Sequence, residues 1–431
     1  MKGFLISAGG GVLVVLLMIS AWMDANNASL GGAIDLRNRV TGGRIMSDGI
    51  DPYTYKWQIG EPAMYCDPFN NPHVPVSKTT SSPAMLGLSL PWAALGYRSG
   101  QFMWLAAQWL FLYGAARLWW RLCETRWQKA LLATMLVAYT FTAAWKLHAE
   151  RGQSYVVLAY FLALWLAGSL QPGKRWSFWS GFAAGFLAML RPPCALLLPV
   201  LAWRRRDQWL GMASGLLAGL LLPMMFIGNI WGDYGSAMRE NAFLYCNNIN
   251  PRAGEVDFPS IIENVPVVVL GHYILITYGD GSLFRLLRAI GLEPTSGLPV
   301  FLAAAAAFGA WGWWALRKRD TPRLLLGLAC WMFLLDFFVP AYRNIYNDVL
   351  ALNFVALGVL VAPRWWAGLV PAGASLIVGI AIYIVTPEDP LYINAPSILL
   401  AISAALWLFA PADPRGLALD RSAAPRQNQK C

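Results

Sequence analysis

Charge is what this chain most lacks. Of its 431 residues, 13% are Asp, Glu, Lys or Arg and 57% are hydrophobic. A soluble domain carries about 25% charged residues, so an ordinary water-soluble protein is excluded and membrane spans are implied. Histidine is scarcer still: His73, His148 and His272 share no ligand spacing, and no metal or other cofactor is expected. Six cysteines in so long a chain exclude a disulfide scaffold. Internal repeats and low-complexity segments are missing as well. The net charge of +10 invites a nucleic-acid partner. The basic residues, however, lie in short clusters between apolar runs, which is an orientation signal, so no nucleic acid is expected.

Long apolar runs are abundant. A span needs about 20 apolar residues, and candidates fall at 3–22, 99–119, 130–147, 155–170, 177–190, 192–203, 208–228, 297–315, 323–340, 347–362, 367–385 and 395–411. The first, "MKGFLISAGGGVLVVLLMISAW", has the basic start of a signal peptide but no clear cleavage triplet. It reads as an uncleaved span starting in the cytoplasm. With Lys2 inside, the inner loops hold 19 basic and five acidic residues, against 14 basic and 18 acidic everywhere else. That is the positive-inside pattern, with both termini cytoplasmic. The fold expected is an all-α polytopic bundle of about 11–13 transmembrane helices, one domain over 1–411. A mobile cytoplasmic tail, 412–431, completes the chain.

Segments 177–203 are flanked by "GKRW" and "RRRD", so they should enter the membrane and return, with Leu190 to Pro193 at the turn. Tryptophans 119, 120, 203, 313, 314, 365 and 366 gather near span ends, as an interfacial belt does. The large hydrophilic segments 23–98 and 229–296 then face outwards. Their apolar stretches, 81–96 and 264–279, are expected as helices lying in the outer interface. The inner loops are too short for a catalytic domain, so any chemistry belongs to the outer face. Cys66 and Cys246 are the two outer cysteines: an oxidising compartment would allow a bridge, or they stay free.

The polar groups beside the first span are therefore the first candidates for chemistry. In "GGAIDLRNRVTGGRIMSDGIDPYTY" (31–55), Asp35, Asp48 and Asp51 lie near the membrane surface, and Pro52 after Asp51 favours a turn. An aspartate partly shielded from water there serves as a general base with a raised pKa, or it is solvated loop decoration. Tyr53, Tyr55 and Trp57 either stack on a sugar or pack the loop.

Together with residues 56–210, taken in chain order, this stretch resembles the polyprenyl-phosphate-sugar-dependent glycosyltransferases of the GT-C fold, notably the bacterial alpha-mannosyltransferases of glycosyltransferase family 87. The resemblance rests on an Asp-hydrophobic pair after the first span, "GIDPYTY", and the proline-bounded "SSPAMLGLSLPWAALG". It continues through Gly152-Gln153 opening a later span and "GFAAGFLAMLRPPCALLLPVLAWRRR", covering residues 1–210. Departures are the missing aromatic after the Asp-hydrophobic pair and Arg191 where Lys is commoner. The first loop has no Asp-Asp or Asp-Glu pair, which makes protein O-mannosyl and arabinosyl types less similar.

The resemblance implies Asp35 as catalytic base, with Arg37 beside it in the binding site. The acceptor hydroxyl of a glycolipid, glycan or protein attacks a sugar, mannose or a pentose such as arabinose, on a polyprenyl phosphate held in the membrane lipid. Displacement of the lipid phosphate inverts the anomeric carbon. The location implied is the bacterial cytoplasmic (inner) membrane, with the site facing the periplasm or exterior. A leaving phosphate needs cations. Arg191 is the leading candidate, since an intramembrane Arg suggests a function by default, with a structural Arg as the alternative. Arg343 stands at an outer span end and is a second candidate. Asn347 and Asp348 hold sugar hydroxyls or cap their helix. His148, Glu150, Arg151 and Gln153 form a compact polar entrance in "HAERGQS". Asp336 is an intramembrane acid able to pair with Arg343 or Arg191. A monophosphate leaving group has little need of a divalent ion, so metal independence is expected. The competing reading is a transporter or glycolipid flippase, which would distribute polar groups through the membrane rather than in one outer layer.

Overall fold

A computed structural model describes residues 2–409 except 32, 68–69, 71–72, 248, 250–280, 293–295, 319–320, 362–364 and 386–389. The expected interfacial segment 264–279 and the tail 412–431 lie outside the described residues. The regular structure is helical: α1 Lys2–Gly31, α2 Ile34–Ser47, α3 Pro83–Ala93, α4 Tyr97–Trp120, α5 Arg126–Tyr139, α6 Ala143–Glu150, α7 Tyr155–Ser169, α8 Lys174–Leu190 and α9 Leu198–Arg204. The second half contains α10 Trp209–Met224, α11 Ile230–Cys246, α12 Leu283–Ala289, α13 Leu298–Lys318, α14 Thr321–Leu335, α15 Ala351–Val361, α16 Trp365–Val385 and α17 Pro390–Leu408.

The chain is a multi-pass, all-α membrane protein, and each expected span lies largely on helix among the described residues. Many of these helices are shorter than a full crossing. By length and composition three suffice on their own among the described residues, within α1, α13 and α16. Four further apolar helices are shorter, at Tyr155–Ser169, Thr321–Leu335, Ile345–Val361 and Tyr392–Leu408. The expected span 130–147 is in fact two helices, α5 and α6, bent by 60°. Its break has a local cause: the Thr140 hydroxyl bonds back to the Val137 carbonyl, and Thr142 caps α6 by accepting from the Trp145 N–H. After α8, Pro192 and Pro193 force a 3-10 turn over Pro192–Leu197 before α9.

Two contacts set the frame for the site. Gly181 and Gly185 of α8 meet Gly211 and Gly215 of α10 so closely that a Cβ at any of them would overlap the facing backbone. Small residues at i and i+4 permit that approach where no hydrophobic drive exists between helices. The second contact explains why α1 runs nine residues past its expected end at residue 22. Asp24, wholly buried, receives hydrogen bonds from Lys146 Nζ and Trp145 Nε1, both at 2.8 Å, and Lys146 also reaches Ser20 Oγ at 2.8 Å. Pairing removes the cost of an isolated buried carboxylate and pins α1 to α6. Ala33, in the left-handed region at φ 49°, then turns the chain into α2.

Parts of the segment 23–98 are thus buried structure and not solvated loop. From Asp35 to Met46 every residue of α2 is buried. Helix α3, expected to lie on the surface, starts with Ser82 capping the Met85 N–H and packs on α2, where Gly42 and Gly43 make room for Leu86 and Ala93.

Candidate active site

Asp35 occupies the first turn of α2 and is 5% exposed. That turn lacks a side-chain cap; instead the N–H groups of Asp35 and Leu36 both donate to the Arg151 carbonyl at 3.1 Å. A helix start leaves orphan N–H groups, and here the turn after α6 satisfies two of them. Gly152 makes this approach possible. It sits at φ +65°, and a Cβ there would lie 2.7 Å from the Leu36 Cβ. The same turn holds the carboxylate: Gln153 Nε2 donates to Asp35 Oδ2 at 2.6 Å, and Arg151 Nη1 lies 3.2 Å from that oxygen. Of the "HAERGQS" residues, Arg151 and Gln153 therefore meet Asp35 directly.

One helical turn on, Arg39 shares the Asp35 face. It is buried, donates through Nη2 to the Gly152 carbonyl, and lies within electrostatic reach of Asp35, Tyr155 and Tyr346. Tyr155 and Tyr346 touch, with ring centroids 5.7 Å apart, and the Arg191 guanidinium lies 5.0 Å from the Tyr155 ring centre. Arg191, in extended backbone at φ −143° where α8 ends, forms an ion pair with Asp336. Asp336 also accepts from Asn347 Nδ2 and lies 3.9 Å from Arg343 Nε. Arg343 donates to Asp348 at 2.7 Å and to Ser397 Oγ at 2.9 Å. One polar layer thus runs from Asp35 through Arg39, Tyr155, Arg191 and Asp336 to Arg343 and Asp348.

Several sequence expectations change in this setting. Arg343 is wholly enclosed, 1% exposed, with Phe337 3.8 Å below its guanidinium. Its guanidinium is committed to Asp348, Ser397 and Asp336. Arg191, with a side chain 19% exposed, is the accessible cation of that pair. His148 is wholly buried, stacks on Trp145 at 5.4 Å and accepts from the Val156 N–H at 3.1 Å, so it caps the start of α7 and lines no entrance. Arg37, two residues from Asp35 and hence on another face, lies over the Tyr97 ring at 4.7 Å. Asp51 spends its oxygens on the Tyr53 N–H and the Thr54 hydroxyl, the expected turn and no more. Tyr53 is buried, with its hydroxyl on the Ser81 carbonyl and its ring 5.4 Å from Tyr234, so it packs rather than receives a sugar. Tyr55 and Trp57 bond to Glu61 within the same segment.

Cys66 and Cys246 are unbridged in this structure. Cys66 comes after a 3-10 turn and sits beside Asp67, while Cys246 ends α11 in a separate cluster with Tyr245 and Phe284. Burial pushes the Cys66 thiol up to about 12, so it stays protonated. No group of three or more potential ligands exists for a metal ion among the described residues.

Chemically, the layer offers a fixed carboxylate at one end and an accessible guanidinium further along. Residues 80–340 match glycosyltransferase family 87. The chain belongs to that family. As a family-87 member it is a membrane glycosyltransferase; the matched range holds Arg151, Gln153, Arg191 and Asp336 and begins after Asp35. No curated protein matches its sequence. In structure it is similar to ArnT from Cupriavidus metallidurans in the apo state, at 14% identity and a TM-score of 0.40, covering 93% of this chain and 77% of that one. It is similar, too, to ArnT from the same organism bound to undecaprenyl phosphate, at 16% identity and a TM-score of 0.39, covering 92% and 77%.

The residues that sequence reasoning missed are Arg39, Tyr155 and Tyr346. Arg39 was within reach of a simple signal, its spacing of four from Asp35, had residues 34–47 been read as helix.

Proposed function

We propose that this family-87 member is an inverting glycosyltransferase. It moves a sugar, mannose or a pentose such as arabinose, from a polyprenyl-phosphate carrier to a hydroxyl of a glycolipid, glycan or protein. The reaction takes place at the outer face of the bacterial cytoplasmic membrane, with both termini inside and residues 1–411 acting as one unit. The observation that carries this reading is the burial of Asp35 in one continuous layer with Arg191. Asp35 takes the acceptor hydroxyl proton as the acceptor oxygen bonds to the anomeric carbon. The bond from that carbon to the phosphate oxygen breaks with its electron pair, and the charge left on the phosphate is met by Arg191. Attack and departure on opposite sides of one carbon invert it.

Arg151 and Gln153 hold the Asp35 carboxylate in place before substrate arrives, which removes reorganisation from the step. Nucleotide sugars are confined to the cytoplasm, and a lipid-held donor concentrates the reactants at the interface. The leaving group is a monophosphate and carries no requirement for a divalent ion. The test is incubation of purified protein with a panel of polyprenyl-phosphate sugars and acceptors, in excess chelator, then mass spectrometry of the released polyprenyl phosphate. Release with one sugar supports the reading; no release with any, or release only after magnesium rescue, refutes the corresponding part. Cysteine labelling that put position 35 in the cytosol would refute the orientation.

A further inference from the structure

Two guanidiniums share Asp336, and they are held in different ways. Arg343 donates to Asp348 and to Ser397, and it is wholly enclosed. Arg191 pairs with Asp336, and its side chain stays 19% exposed. Its further support is a ring: the guanidinium carbon lies 5.0 Å from the centre of Tyr155. That is inside the roughly 6 Å over which a ring face attracts a cation.

The two kinds of support differ in what they consume. A guanidinium carries five N–H donors in one plane. A carboxylate takes donors from the edge of that plane, whereas a ring attracts the charge through its face and takes none. Asp336 by itself would hold one edge of a long side chain. The ring adds a second point of attachment and leaves N–H groups for an incoming anion.

Tyr155 is well placed to act this way. It opens α7 two residues after Gln153, so the turn that holds Asp35 also delivers the ring. The ring meets Tyr346 at 5.7 Å, tilted by 45°. Tyr346 is buried and precedes Asn347, which donates to Asp336. Arg39, beside Asp35, is within electrostatic reach of Tyr155 as well. Tyr155 itself is partly exposed.

We infer that Tyr155 is a positioning residue: its ring holds the Arg191 guanidinium for the leaving phosphate without occupying the donors that the phosphate needs. The inference rests on the proposed donor and on Arg191 meeting its phosphate. Tyr155 forms no bond to the substrate and moves no proton. It fixes a cation beforehand, so that little reorganisation is left when charge gathers on the phosphate oxygen.

The test measures binding of sugar-free polyprenyl phosphate to the full protein in nanodiscs, with uncharged polyprenol as control. Tyr155→Leu should weaken polyprenyl phosphate by about tenfold, in the range of a desolvated cation–ring contact, and leave polyprenol unchanged. Tyr155→Phe, which keeps the ring, should restore most of the affinity. In an Arg191→Ala background, Tyr155→Leu should cause no further loss. Should the leucine variant fail to fold, ring-fluorinated phenylalanines at position 155 keep the shape and drain the face of negative charge. Affinity should then fall stepwise with fluorination, which a packing role would not produce. In transfer assays the same series should lower kcat and leave the KM for acceptor unchanged. An additive loss in the Arg191→Ala background, a parallel loss of polyprenol, or a flat fluorination series would overturn the inference. Unchanged binding in Arg191→Ala would remove the phosphate role of Arg191 and the inference with it. Weakened binding there with none from Tyr155→Leu strikes the inference alone, and absence of transfer with every sugar strikes the proposed function.

Discussion

Asp35→Asn keeps the side chain's shape and removes its charge. Losing a general base should lower turnover about 100-fold or more, which is about 2.7 kcal/mol of barrier. The same change also strands Arg151. Both side chains are 7% exposed and lie 3.2 Å apart, and breaking a buried pair costs roughly 3–5 kcal/mol when nothing replaces the partner. Asparagine retains an oxygen that still accepts a hydrogen bond, so a loss of roughly 1–3 kcal/mol is expected. Low activity alone would not separate lost chemistry from a displaced α2. Asp35→Asn with Arg151→Gln removes both charges, and the double variant should recover part of the thermal stability in detergent while turnover stays low. Stability is read from the melting curve and turnover from released polyprenyl phosphate. If activity returns with stability in the double variant, or if the single variant turns over normally, Asp35 is a charge partner and the mechanism fails.

Arg191→Ala should lower kcat by about 100-fold with the hairpin still inserted, as loss of a transition-state charge donor does, and Arg191→Lys should restore part of it. Gly152→Ala would place a Cβ 2.7 Å from Leu36 on a backbone at φ +65°; strain of about 1–3 kcal/mol should lower the melting temperature and turnover together. Lys56, held by Asn70 and the Val76 carbonyl, has its pKa drawn down from 10.5 to about 8 by burial. The folded state therefore binds fewer protons between those values, so stability should rise from about pH 8 towards 10.5, and Lys56→Gln should flatten that rise.

How far the site was readable depended on the kind of signal each residue carries. Arg191 was legible because a guanidinium amid apolar residues before two prolines has no cheap place in a bilayer, and Asp336 for the mirrored reason. Arg151 and Gln153 were legible as part of a short polar run. Arg343 and His148 looked equally polar in sequence. Enclosure decides their role, and it depends on contacts a polar run does not announce, such as Ser397 for Arg343 and Trp145 for His148. Asp35 looks like a loop residue in sequence because Gly42 and Gly43 argue against a helix. Those glycines in fact admit α3 against α2.

What the sequence determined alone was the solvent and the number of apolar segments, because hydropathy acts over runs of adjacent residues and needs no partner. Only tertiary structure could decide that Asp35 meets Arg151 and Gln153, that Arg191 meets Asp336, and that the two pairs share one layer. Each of those contacts joins residues more than a hundred positions apart, brought together by buried charges that must be matched.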